Sequence, residues 1–121
     1  MQVLSSNGGK EAVSSSRLLI VDADAYLRST LRQQLVIEGF NDVFEVGVFA
    51  DLDMALSHAN PDLILLDIQM PDGKGSNICQ RLRRNGFAKP IIMLTTKGAE
   101  GDIALGREGG ANDYIIKPLR L

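Results

Sequence analysis

From Arg17 onward, short apolar runs alternate with stretches of helical period. "LLIVD" (18–22), "DVFEV" (42–46), "LILLD" (63–67), "IIMLT" (91–95) and "DYIIK" (113–117) read as five strands. Between them, "AYLRSTLRQQLVIEG" (25–39) carries Leu27, Leu31 and Leu35 on one helical face, with Gly39 as a stop. "DLDMALSHA" (51–59) places Leu52, Ala55, Leu56 and Ala59 together, and Pro61 closes it. "SNICQRLRRNG" (76–86) turns Ile78 and Leu82 inward. A weaker helix is expected over 99–108, where Gly101 and Gly106 each cost up to about 1 kcal/mol relative to Ala. Strands one, three and four are solid apolar runs, not alternating ones. Such strands are buried on both faces, which predicts a parallel sheet between two layers of helices.

Composition narrows the picture. The chain has 121 residues, 45% hydrophobic and 23% charged, which suits one soluble domain. A net charge of −2 offers no electrostatic footprint for nucleic acid in this stretch. The lone cysteine, Cys79, excludes an internal disulfide. No run approaches the ~20 apolar residues of a membrane span, and no signal region opens the chain, so a cytoplasmic location is expected. Residues 1–16, rich in Ser and Gly, read as a flexible lead or expression remnant, and 17–121 as the domain.

The polar residues fall at one edge. In an open parallel sheet, ligands sit at the carboxyl ends of the strands. There Asp22, Asp67, Thr95 and Lys117 end four different strands. Each alone is unremarkable, since a strand-end Asp is commonly a helix cap. Together, two carboxylates, a hydroxyl and an ammonium suit phosphoryl transfer. One carboxylate serves as nucleophile, the other helps hold Mg²⁺, and lysine and hydroxyl steady the phosphoryl oxygens.

The segments "LLIVDADAYLR", "PDLILLDIQMPDGKG", "KPIIMLTT" and "GANDYIIKP" resemble the receiver domain of bacterial two-component response regulators, over residues 17–119. The resemblance implies a doubly wound, flavodoxin-like fold with strand order 2-1-3-4-5. It implies that Asp67 is the phosphoacceptor, with Thr95 and Lys117 as its catalytic partners. Thr95 and Tyr114 are implied as the switch pair. Asp22, Asp67 and the backbone carbonyl of Gln69 are implied as Mg²⁺ ligands, and Lys117–Pro118 as a cis peptide. The implied partner is a histidine kinase or histidine phosphotransfer protein, and phosphorylation is expected to alter the surface of the fourth helix and fifth strand. This makes the chain a signalling domain with no enzymatic role beyond its own phosphorylation and dephosphorylation.

Two departures stand out. The family has two adjacent acids after the first strand, and here Ala23 holds the second place. Weaker Mg²⁺ binding and slower phosphorylation are expected. Asp24 is expected to cap the next helix, with metal contact as its alternative if the loop adjusts. The chain also stops at Leu121, before the family's fifth helix, and carries no effector domain. Poor stability, or self-association (a homodimer among the options) through the bare face beside the fifth strand, is the expectation.

Two other functions compete. A degenerate receiver would bind a partner without phosphorylation. A phosphohydrolase similar to the haloacid dehalogenases would use Asp22 as nucleophile and Asp24 as acid/base, although Tyr26 replaces the usual Thr and no downstream acidic pair follows. Among the remaining residues, His58 is expected at a polar helix end and Cys79 as a partly buried thiol. Arg81, Arg83 and Arg84 are expected to form a solvated basic face.

Overall fold

The computed structural model describes residues 15–96, 104 and 107–117. Strand β1 (Arg17–Val21) leads to helix α1 (Ala25–Ile37), β2 (Asp42–Val46), a 3₁₀ turn (Phe49–Asp51) and α2 (Leu52–Ala59). Then come β3 (Leu63–Asp67), a small hairpin of β4 (Gln69–Met70) and β5 (Gly73–Lys74), and α3 (Gly75–Arg84). Strands β6 (Ile91–Thr95) and β7 (Asp113–Ile116) complete the described elements. The main sheet runs β2-β1-β3-β6-β7 with every pairing parallel, which is the 2-1-3-4-5 order.

The solid apolar strands serve both faces, as their pattern predicts. Leu19, Val21, Ile64, Leu66, Ile91 and Met93 join Leu52, Cys79 and Leu82 under α2 and α3. The alternate residues Leu18, Ile20, Leu65 and Leu94 join Leu31, Leu35 and Phe40 under α1. Each buried Leu or Ile contributes about 1.5–3 kcal/mol relative to an exposed one, so both layers hold the sheet.

Helix ends set the loop geometry. Asp24 Oδ1 accepts from the N–H groups of Tyr26 (2.9 Å) and Leu27 (3.1 Å), so its carboxylate caps α1. At the other end Gly39 adopts φ 108°, its N–H donates to Val36 O, and Phe40 N–H donates to Leu35 O. That is the left-handed cap for which glycine is favoured. Helix α2 ends on a non-glycine instead, Asn60 at φ 45°.

Some expectations need amendment. Cys79 is fully buried, not partly, because it faces the sheet beside Leu82. Arg83 is no solvated residue: its guanidinium donates to the carbonyls of Phe87, Lys89 and Gly110 and to Asn112 Oδ1. Arg81 pairs with Asp53 at 3.1 Å, while Arg84 is exposed. His58 is exposed in the last turn of α2, edge-on to Phe44. Of the helix expected over 99–108, Ala104, Arg107 and Glu108 are helical, and the rest lies outside the described residues, as do residues 1–14 and Pro118. Among the described residues no helix is long and apolar enough to cross a membrane.

Candidate functional site

The chain leaves β1 toward β2 on one side, and β3 returns on the other side of β1. Strand order reverses there, so a crevice opens between the carboxyl ends of β1 and β3. Asp22 follows the last residue of β1, and Asp67 is the last residue of β3. Both carboxylates therefore emerge at the reversal point.

Lys117, just past β7, brings the two together. Its Nζ lies 2.7 Å from Asp22 Oδ2 and 3.4 Å from Asp67 Oδ2. Asp22 and Thr95 are each 1% exposed and Asp67 7%, so these charges sit in a largely desolvated site. The buried Asp22 Oδ2 has the ammonium as an ion-pair neighbour without the alignment of a hydrogen bond. The other oxygens are fixed by main chain. Asp22 Oδ1 accepts from Asp24 N–H at 2.9 Å, and Asp67 Oδ1 from Gln69 N–H at 3.2 Å.

Electrostatics follow from this packing. Burial pushes the Asp67 carboxyl above its usual range; the Asp22 charge adds to that, and together they outweigh the Gln69 N–H and Lys117. Burial acts to lower the Lys117 ammonium, but its contacts with Asp22 and Asp67 prevail and raise it. Lysine is thus held as a cation between two acids.

Two further strands frame the pocket. Asp67 pairs in register with Leu94, and Thr95 is the next residue along β6. The Thr95 hydroxyl donates to Thr96 O at 3.3 Å, and Thr95 O accepts from Lys117 N–H at 2.6 Å. Tyr114 is half-buried in register with Met93, against the core under α2 and α3. The Gln69 side chain is exposed, so its main chain is the part that touches Asp67. The structure thus gathers Asp22, Asp67 and Lys117 into contact. Thr95 lies at the same edge, and Asp24 faces outward as the α1 cap.

Three residues that sequence reasoning passed over support the site. Arg28 Nη1 donates to Asp22 O at 2.6 Å, and its Nε pairs with Glu45 at 3.1 Å, which pins the loop carrying Asp22. Asp72, in the hairpin turn, accepts from Phe49 N–H and Ala50 N–H, each at 3.0 Å. This ties the loop after Asp67 to the 3₁₀ turn. Gly75 passes so close to the Asp67 main chain that a Cβ there would clash with Asp67 O. The sequence signal for Gly75 was the glycine pair of "DGKG"; Arg28 carried no signal that separates it from an ordinary helix arginine.

The donor set fits Mg²⁺ in a minimal form. That ion takes a few hard oxygen ligands and keeps several waters. Two carboxylates meet at one ammonium, and the Gln69 carbonyl belongs to the same loop. Ala23 contributes nothing, and among the described residues no group of three or more His, Cys, Asp or Glu side chains converges. The hydrolase reading fails on the same geometry. Asp24, its required acid/base, is engaged in capping α1, and Asp22 is buried against Lys117.

The response regulator receiver domain model matches residues 18–121. The alkaline phosphatase synthesis transcriptional regulatory protein SphR of Synechococcus elongatus is 38% identical, over 88% of this chain and 45% of its own length. The DNA-binding response regulator MtrA of Mycolicibacterium paratuberculosis is 41% identical, over 86% of this chain and 45% of its own. The chain thus spans about half the length of these relatives. Among solved structures, a putative response regulator from Chloroflexus aurantiacus J-10-fl superposes with a TM-score of 0.79 at 31% identity, over 87% of both chains. The chain belongs to the response regulator receiver domain family of two-component systems, and is a signalling module rather than an enzyme.

Proposed function

We propose that Asp67 is the phosphoacceptor of this receiver. The observation that carries the reading is the meeting of Asp22 and Asp67 at the Lys117 ammonium, at the reversal point of the sheet. A carboxylate oxygen of Asp67 attacks the phosphorus of a phosphohistidine on a kinase or phosphotransfer protein. The new P–O bond forms as the P–N bond breaks, and the imidazole leaves and takes up a proton. Lys117 remains as counter-charge to the phosphoryl oxygens, and the Thr95 hydroxyl turns from Thr96 O to donate to one of them. Asp22, Asp67 and the Gln69 carbonyl would hold Mg²⁺, which when bound draws negative charge from the phosphoryl group. Later a water attacks the phosphorus, the Asp67 oxygen departs as carboxylate, and inorganic phosphate is released.

The displaced Thr95 frees room that Tyr114 turns to fill, which changes the surface around the fourth helix and β7. Because the relatives are about twice as long, the chain acts as the receiver of a cytoplasmic regulator with a separate effector domain. Incubation with acetyl phosphate and Mg²⁺, followed by intact mass, tests this. Wild type gains one phosphoryl group and Asp67→Asn gains none; a modified Asp67→Asn protein refutes the assignment.

Ala23 supports a second reading, a receiver that binds its partner without phosphorylation. Ala23→Asp separates the two. Under the phosphorelay reading it tightens Mg²⁺ binding and speeds modification by acetyl phosphate. If neither the parent nor Ala23→Asp is modified, the phosphorylation-independent reading prevails.

A further inference from the structure

Arg107 stands over the aromatic ring that the switch reading singles out. Its Cζ lies 4.9 Å from the centroid of the Tyr114 ring, within cation–π range. Its Nη2 is 3.9 Å from Asp113 Oδ1. That same oxygen accepts from Tyr114 N–H at 2.8 Å. The guanidinium is therefore held by the ring on one side and by a carboxylate that is itself fixed to the backbone of Tyr114.

The position of the ring links this contact to the site. Tyr114 is in register with Met93, and Thr95 is two residues further along β6. Successive side chains alternate across a strand, so Tyr114, Met93 and Thr95 share one face of the sheet. A ring on that face cannot turn far from its observed orientation and remain under the guanidinium. Arg107 is supplied from the helical segment before β7, so the contact also joins that segment to the strand.

We propose that Arg107 is a latch on Tyr114: stacked on the ring and steered by Asp113, it holds the aromatic in the observed orientation and sets how readily the switch turns. The proposal rests on Tyr114 being the switch aromatic. It makes Arg107 a positioning residue that acts through Tyr114 and does not touch the phosphoryl group.

Nuclear magnetic resonance on the full chain tests it, with beryllofluoride plus Mg²⁺ as the probe. In the free protein the Arg107 side-chain protons lie upfield in the ring current of Tyr114, and Tyr114→Leu removes that shift. Saturation with beryllofluoride, read from the amides around Asp67, collapses it. Arg107→Met raises the activated population by about two- to fivefold, the factor that an exposed cation–π contact is worth, and tightens the apparent beryllofluoride affinity by the same factor. Arg107→Lys keeps the charge but not the planar stack and falls between the two. An Arg107 shift that survives saturation, or an Arg107→Met spectrum that does not move toward the bound one, overturns the latch alone. If the amides around Asp67 do not respond to beryllofluoride at all, the phosphoacceptor reading falls and the latch with it.

Discussion

Replacing Arg83 with methionine keeps the aliphatic stem and removes every donor of the guanidinium. In the structure all five N–H groups are used: Nε and Nη2 both donate to Gly110 O, Nη1 donates to Phe87 O and Lys89 O, and Nη2 also to Asn112 Oδ1. These bonds tie the end of α3 to the loops on either side of β6. The Lys89 carbonyl contact is exposed, so water replaces it readily. Asn112 Oδ1 keeps the N–H of Ile91 at 2.9 Å. The part-buried carbonyls of Phe87 and Gly110 are left without their partner. A fully buried acceptor deprived of its partner costs about 1–3 kcal/mol; two half-buried ones, which water reaches in part, give about 1–3 kcal/mol together. Against a domain stability of about 5–15 kcal/mol that is a large fraction. Urea unfolding followed by circular dichroism measures it. With an m-value of about 2 kcal/mol/M the midpoint falls by roughly 0.5–1.5 M while m is unchanged. Arg83→Lys keeps one donor group and falls less. An Arg83→Met protein within about 0.5 kcal/mol of the parent would refute the reasoning, because these bonds would then exchange for water at no cost.

Two more stability tests follow from local geometry. Asp24→Ala removes the acceptor for two N–H groups of α1 and costs about 1 kcal/mol, read as a drop of about 4–8 °C in Tm; no drop would mean that Asp24 does not cap in solution. Acid sensitivity comes from Asp62 and Asp72, whose carboxyls lie below their usual range because of the N–H groups of Arg17 and Phe49 respectively. A depressed folded pKa stabilises at pH above the unfolded value and loses that stabilisation as pH falls through the folded one, so stability declines below about pH 4 and more gently in Asp62→Asn and Asp72→Asn. Asp67 has the opposite sign: its raised carboxyl favours the fold at low pH and loses that contribution as pH rises through its folded value. A steeper acid decline in either variant would contradict the assignment. Gly75→Ala forces the Asp67 loop to move, since its Cβ would clash with Asp67 O, so it slows phosphorylation and destabilises by about 1–3 kcal/mol; an unimpaired variant would show that the close approach is not required.

Much of this was legible in the chain because parallel strands have an unambiguous signature. "DVFEV", "LILLD" and "IIMLT" are strands over the same residues that their patterns predict. Asp22, Asp67, Thr95 and Lys117 reached one edge because strand direction fixes where each run ends. The hairpin at 69–74 left no such trace: its strands are two residues each, too short for any period. Arg83 was misjudged because a charged residue beside two other arginines resembles a solvated face. Its acceptors are the carbonyls of Phe87, Lys89 and Gly110 and the side chain of Asn112, and a sequence does not display which groups the loops bring back to a helix end. The left-handed Asn60 was hidden in the same way, behind the stronger signal of Pro61.

The most direct test is where the acyl phosphate forms. After incubation with acetyl phosphate and Mg²⁺, borohydride reduction converts a phosphorylated aspartate to homoserine, and peptide mass spectrometry locates it. Homoserine is expected at Asp67 and at no other acid. Homoserine at Asp22 or Asp24, or none in a folded and Mg²⁺-saturated protein, would contradict that expectation.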